Sequence, residues 1–151
     1  MLRIDRAGVR DHGVVTGFLL EYSRANQWEP EDDRDRWERI VAELLNSERW
    51  LFLIAHDDDE PVGMAAVSFC LSLTSSREEA RLAVILVDEG HRRLGIGTLL
   101  MESVVAAVGR RGCRELEARV DRREEAAIAF YNRFDNPRER LVLTWPCGRN
   151  D

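Results

Sequence analysis

The 151-residue sequence predicts an α/β fold, a central mixed sheet with helices on both faces, in one domain spanning residues 1–151. Three observations predict it. Apolar residues recur at helical spacing in separated segments, and short apolar or alternating runs lie between them. No repeat, low-complexity stretch or interdomain linker interrupts the pattern. A strand-like run from Leu82 to Val87 passes straight into a basic glycine turn and then a helix.

Leu2-Arg3-Ile4 reads as a short edge strand. Asp11 is a helix N-cap candidate, and Val14, Val15, Phe18, Leu19 and Tyr22 share one helical face after it. Pro30 opens a second helix carrying Trp37, Ile40, Val41, Leu44 and Leu45. Trp50 to Ala55 and Val62 to about Leu73 form a hairpin across the turn Asp57-Asp58-Asp59-Glu60-Pro61. A polar loop at Thr74-Ser75-Ser76 precedes the strand that ends at Val87. The next helix shows Leu99, Leu100, Ser103, Val104, Ala107 and Val108 on one face, with Gly112 as its C-cap. Leu116, Ala118 and Val120 alternate with Glu115, Glu117 and Arg119 as a strand. A last helix carries Ala127, Phe130, Tyr131 and Phe134, and Leu141 to Trp145 alternate enough for a closing strand. The expected order is β-α-α-β-β-β-α-β-α-β.

Composition narrows the function classes. The chain is 44% hydrophobic and 33% charged, with no apolar run long enough for a membrane span. Arg3, Asp5 and Arg6 so early argue against a signal peptide. Cys70, Cys113 and Cys147 are odd in number and widely spaced, so reduced thiols and a cytoplasmic location are expected. The net charge of −6 excludes nucleic acid as a general partner and would favour a cationic substrate. His12, His56 and His91 are scattered, and no metal-ligand spacing or catalytic triad emerges. The Asp57–Glu60 run lacks the spacing and glycine of a calcium loop.

The turn Arg92-Arg93-Leu94-Gly95-Ile96-Gly97-Thr98 carries the functional signal. Glycines let backbone approach a ligand, a helix N-terminus points unpaired N–H groups outward, and its dipole and the arginines favour an anion. A pyrophosphate suits such a site. A nucleotide-triphosphate loop is excluded, since it ends in Gly-Lys-Ser/Thr and the chain has no lysine. The dinucleotide fingerprint needs a third glycine and an early strand–helix unit.

With that turn, three segments make the chain resemble the GNAT superfamily of N-acetyltransferases. Val87-Asp88-Glu89-Gly90-His91-Arg92-Arg93-Leu94-Gly95-Ile96-Gly97 is similar to the family's acetyl-CoA motif, Arg114 to Val120 to its fifth strand, and Ala127-Ile128-Ala129-Phe130-Tyr131 to the helix whose tyrosine lies near the coenzyme thiol. Departures lie at the acceptor end. Glu124 stands where the family's helix motif has Asn, and Phe134-Asp135-Asn136 stands where Leu-Gly-Phe is common.

The resemblance implies acetyl-CoA as cosubstrate, no metal, and direct transfer to a primary amine of a small molecule or peptide. Backbone amides of Arg93, Leu94, Gly95, Ile96, Gly97 and Thr98, with Arg92, would hold the pyrophosphate. Ile85, Leu86 and Val87 would pair with the pantetheine arm as if it were an added strand. The fourth strand would bend away from the fifth at Val87 to Asp88. Tyr131 would protonate the leaving thiolate, although it also sits at core spacing. Glu79 is the base candidate, expected on one strand face with Arg81, Ala83, Ile85 and Val87; Glu21 is its rival. Trp28-Glu29-Pro30-Glu31-Asp32-Asp33 falls where the family's acceptor site is often bordered, and acids there also suit a helix start. A non-catalytic acyl-CoA-binding module and a nucleotide-binding protein are the competing readings. A homodimer is consistent with an uncovered sheet edge.

Overall fold

The structure, a computed structural model, describes residues 1–26 and 34–148. They form two compact units, Met1–Arg119 and Val120–Asp151.

The first unit contains β1 (Leu2–Arg6), α1 (His12–Asn26), α2 (Arg34–Leu45), β2 (Trp50–Asp57), β3 (Glu60–Leu71), β4 (Glu78–Val87), α3 (Ile96–Arg110) and β5 (Leu116–Ala118). The strands lie in the order β1-β2-β3-β4-β5. The first four form an antiparallel meander, and β5 joins β4 in parallel. Only that parallel pair needs a crossover, which α3 provides.

One face of the sheet buries Phe52, Ile54, Met64 and Ala66 against Val15 and Leu19 of α1 and Val41 of α2. Val84 and Leu86 of β4 pack on the same cluster. The other face meets α3, whose buried residues Ile96, Leu100, Val104 and Val108 recur every fourth position. Emptying one such site, as in Leu100→Ala, costs roughly 2–5 kcal/mol. Gly63 of β3 lies under this helix: a Cβ there would meet the Leu86 carbonyl oxygen at 2.8 Å and Ile96 and Leu100 at 3.3 Å.

Local chemistry sets the element ends. Asp11 does not cap α1 as the sequence predicts. Its carboxylate accepts from the Gly8 N–H at 2.8 Å, closing a 3-10 turn at Val9–Asp11 just ahead of the helix. Gly112, at φ +95°, terminates α3 as expected, and the Cys113 N–H reaches back to the Val108 carbonyl at 3.2 Å. Pro30 lies outside the described residues, as does the rest of the Trp28–Asp33 segment.

The second unit contains α4 (Glu125–Tyr131), with Glu124 at its N-cap position. The Glu124 carboxylate accepts from the Asp121 N–H at 2.8 Å. Asp135 adopts φ +34° where the resemblance leads one to look for glycine, and Asn136 after it is also at positive φ, +37°. The closing strand predicted at Leu141–Trp145 does not form: no residue of that segment is in a strand, and Leu141, Val142, Leu143 and Trp145 are exposed. Alternation specifies which face a strand would bury, yet a strand exists only where a neighbour completes its ladder.

Candidate functional site

A β-bulge builds the site. In the β3–β4 ladder Val67 opposes Leu82 while Ala66 opposes Val84, so Ala83 is the extra residue. Pairing between β4 and β5 covers only Ala80–Leu116, Arg81–Glu117 and Leu82–Ala118. It stops one residue before the bulge. The two strands therefore separate at Ala83, four residues before the Val87–Asp88 bend expected from sequence.

The bulge also reverses the side-chain faces. Glu79 and Arg81 share their face with Val84 and Leu86, on the side of α1 and α2. The expected alignment of Glu79 with Ala83, Ile85 and Val87 is overturned, because period-2 alternation fails across an inserted residue. Glu79 itself is exposed and lies opposite Cys70.

Beyond the bulge, β4 has no β5 partner on its outer side. The Asp88 N–H donates to the Val62 carbonyl at 2.8 Å, which fixes the alternation. Asp88, Leu86 and Val84 direct their amides toward β3, and Ile85 and Val87 direct theirs away from it. Among the described residues no strand pairs with that outer edge after Leu82. Arg92 Nε approaches the Val87 carbonyl at 3.4 Å, as an outward-facing Val87 allows.

The chain leaves β4 through a 3-10 turn at Glu89–His91. His91 Nδ1 lies 2.9 Å from Asp88 Oδ2, and the His91 N–H donates to the Asp88 carbonyl at 2.9 Å. This clamp, separated by three residues, was not singled out from sequence; the i, i+3 spacing of Asp88 and His91 is the signal that carries it. Arg93 then takes φ +67° and Gly95 φ +81°, and Gly95 is the N-cap of α3. The helical ladder opens with the Leu99 N–H on the Gly95 carbonyl at 3.0 Å. Amides ahead of Leu99 in this first turn lie before the helical ladder. Arg92, Arg93, Leu94 and Gly95 are exposed, whereas Ile96 is buried and anchors the helix start. Of the two glycines only Gly95 needs left-handed backbone.

At the base of the strand separation, Glu117 accepts from Arg81 Nε at 3.0 Å and from Arg119 Nε at 3.2 Å. Partial burial works to raise the Glu117 carboxyl, and the two arginine hydrogen bonds outweigh it, leaving a net lowering. This ion cluster ties the last paired rungs together and went unnoticed in the sequence, where Arg81 and Glu117 are far apart.

Ile85 to Thr98 thus all lie within the first unit. Tyr131 belongs to the second unit, near the end of α4, half-buried. Its ring meets Phe130 edge-on at 5.5 Å, and Phe130 meets Phe134 at 5.2 Å. Glu21, the rival base, is exposed on α1. Among the described residues, no group of three or more His, Cys, Asp or Glu side chains is placed to hold a metal, and no helix is long and apolar enough to cross a membrane.

A search of curated proteins matches an uncharacterized N-acetyltransferase of Methanocaldococcus jannaschii, 33% identical over 131 residues. That match covers 85% of this chain and 54% of the relative, so the chain spans about half the length of the curated protein it matches. Among solved structures, an aminoglycoside acetyltransferase from an uncultured soil metagenomic sample, in complex with sisomicin, superposes with a TM-score of 0.82 at 18% identity, covering 98% of this chain and 97% of that one. AAC(6')-Iy in complex with the bisubstrate analogue CoA-S-monomethyl-acetylneamine gives 0.82 at 18% identity, covering 99% of each. At such identities the two structures share the fold. The family model described as acetyltransferase (GNAT) family matches residues 14–135, and the chain belongs to that family.

Proposed function

We propose that this chain is an acetyl-CoA-dependent N-acetyltransferase that moves an acetyl group to a primary amine of a small molecule or peptide within a ternary complex. The observation that carries the reading is the open outer edge of β4 at Ile85–Val87 leading directly to the Gly95 helix start. Backbone donors and acceptors of Ile85 and Val87 suit the amides of a pantetheine arm, which would lie along Ile85, Leu86 and Val87 as an added strand. Amides of Arg93, Leu94, Gly95, Ile96, Gly97 and Thr98, with the exposed Arg92 guanidinium, suit a pyrophosphate.

In this reading the amine nitrogen attacks the thioester carbonyl carbon, the carbon–sulfur bond breaks, and the coenzyme departs as thiolate. An outward amide of β4 stabilises the oxyanion of the intermediate, an interaction worth roughly 3–4 kcal/mol in comparable sites. Tyr131 gives its phenolic proton to the sulfur, and the proton lost by the amine passes to Glu79, directly or through water. No cysteine is assigned a covalent step. Aminoglycoside acetyltransferases share the fold, and the net charge of −6 favours a cationic amine by steering.

Calorimetry with acetyl-CoA, followed by chromatographic measurement of CoA formed across an amine panel, tests the proposal. Chromatography is chosen because exposed Cys70 and Cys147 would consume a thiol reagent. Saturable binding with CoA release is the expected result. Binding without release from any amine would favour the non-catalytic acyl-CoA module, and absence of binding would remove both readings.

A further inference from the structure

Among the described residues, five that are not glycine take positive φ: Asp58, Ser76, Arg93, Asp135 and Asn136. Four of them carry short polar side chains. Arg93 is the exception, a long side chain at φ +67° in the region that L-residues avoid. Such backbone persists only where its surroundings impose it, and it clusters at ligand-binding segments.

Two anchors impose it here. Downstream, Gly95 opens α3 and the buried Ile96 holds the helix start in place. Upstream, the Asp88 N–H donates to the Val62 carbonyl at 2.8 Å, which ties the end of β4 to β3. The His91 N–H then donates to the Asp88 carbonyl at 2.9 Å, and His91 Nδ1 lies 2.9 Å from Asp88 Oδ2. A carboxylate can only accept, so Nδ1 carries the shared proton. The carboxylate folds back over the turn, since a Cβ on Gly90 would stand 3.8 Å from the same Oδ2. The His91 and Asp88 side chains are 23% and 38% exposed, so water competes only in part for this bond.

Three exposed residues, Arg92, Arg93 and Leu94, bridge the two anchors. Arg92 is extended, at φ −67° and ψ 151°. A bridge this short leaves few routes to the helix, and the route taken puts Arg93 in unfavourable backbone. His91 fixes where that bridge begins.

We propose that Asp88 and His91 are positioning residues for the coenzyme turn: their pairing holds Arg93 in left-handed backbone and so presets the Arg93–Thr98 amides for a diphosphate. The assignment rests on the acetyl-CoA reading above. The pair acts through the loop rather than on the coenzyme, by fixing the loop before the coenzyme arrives. Loss of the pair lets Arg93 relax to ordinary backbone. Binding must then restore the strained form, and affinity falls.

Calorimetry with CoA on a double-variant cycle tests this. His91→Ala should weaken CoA binding roughly tenfold. Asp88→Asn keeps an acceptor of the same shape without the charge, and should weaken it about threefold. In the Arg93→Gly background, where positive φ carries no penalty, His91→Ala should change affinity by less than about twofold. Both arms of that comparison lack the Arg93 guanidinium, so its loss cancels. Initial rates should show acetyl-CoA KM raised and kcat within about twofold of the parent. Thermal melts check folding; should His91→Ala unfold, Asp88→Asn carries the same cycle. An equal effect of His91→Ala with arginine or glycine at position 93 would overturn the proposal, as would unchanged affinity in His91→Ala. A parent protein that fails to bind CoA would instead remove the acetyl-CoA reading, and this assignment with it.

Discussion

Leu82 and Ala118 form the last rung between β4 and β5, and the residue after Leu82 is the bulged Ala83. The bulge opens the sheet without costing β4 its bonds to β3. The two hydrogen-bonding edges of one strand therefore have separable roles. Ile85→Pro removes an outward amide, whereas Leu86→Pro removes an amide directed at β3. We expect Ile85→Pro to raise the acetyl-CoA KM about tenfold with a small loss of stability. Leu86→Pro should lower stability by roughly 1 kcal/mol more, the net value of a ladder bond. Thermal melts and initial rates on both variants check this; equal melting temperatures would show that the amide alternation is misassigned.

Gly95 starts α3 at φ +81° with no atom within 4 Å of a would-be Cβ, so the obstacle to a side chain is conformational rather than steric crowding. Gly95→Ala should cost roughly 1–2 kcal/mol, the penalty of left-handed backbone for an L-residue. If the helix start relaxes to avoid that penalty, the amides of Ile96 to Thr98 turn and CoA affinity falls. Gly95→Asn should do less harm on both counts, since Asn tolerates this region. Calorimetry with CoA and a thermal melt separate the two effects.

Much of this architecture was legible because its signals are local. Leu100, Val104 and Val108 lie at helical spacing, although the helix starts at Ile96 rather than Leu99, and Gly112 ends α3 where its left-handed φ is needed. The β-to-turn-to-helix passage at Val87–Gly97 is likewise written in consecutive residues. What escaped notice depends on partners distant in sequence. The Ala83 bulge sits inside a continuous apolar run, Leu82 to Val87, in which no polar residue marks the change of face. Glu79 was therefore assigned the wrong neighbours. Arg81 and Glu117 meet only because a parallel strand returns beside β4. Leu141–Trp145 shows the converse, a strand-like pattern with no ladder to complete it.

Arg111, at the C-terminal end of α3, clasps the start of β4. Its Nε donates to Glu78 at 2.6 Å, a terminal nitrogen donates to Glu78 at 3.1 Å and to the Glu48 carbonyl at 2.7 Å, and the guanidinium lies 3.7 Å over the Phe69 ring. The Arg111 hydrogen bond, the largest influence, holds the Glu78 carboxyl below its usual value against the opposing effect of burial. A depressed carboxyl contributes stability that is present above the unfolded value of about 4.3 and lost as pH falls through the lower folded value. Arg111→Ala should cost roughly 1–2 kcal/mol at neutral pH, allowing for partial exposure. The gap from the parent protein should close progressively below about pH 4.3. Urea titrations across that range measure it, and a gap independent of pH would assign the clasp to packing on Phe69 instead.

Tyr131 poses the sharpest choice, because an acid and a packing residue predict different kinetics. Its ring packs edge-on against Phe130 at 5.5 Å, a contact that phenylalanine would reproduce. Tyr131→Phe should therefore cost stability no more than about the 1 kcal/mol of one hydrogen bond. As the proton donor to a thiolate, the hydroxyl should matter more to turnover. A thiol of pKa about 8.5 is a tolerable leaving group unaided, so we expect kcat to fall roughly 10²-fold, at the lower end for general acids. The acetyl-CoA KM should stay within twofold or so, since the hydroxyl is assigned to the departing sulfur and not to ground-state binding. An unchanged kcat would leave Tyr131 as packing and require another proton source for the thiolate.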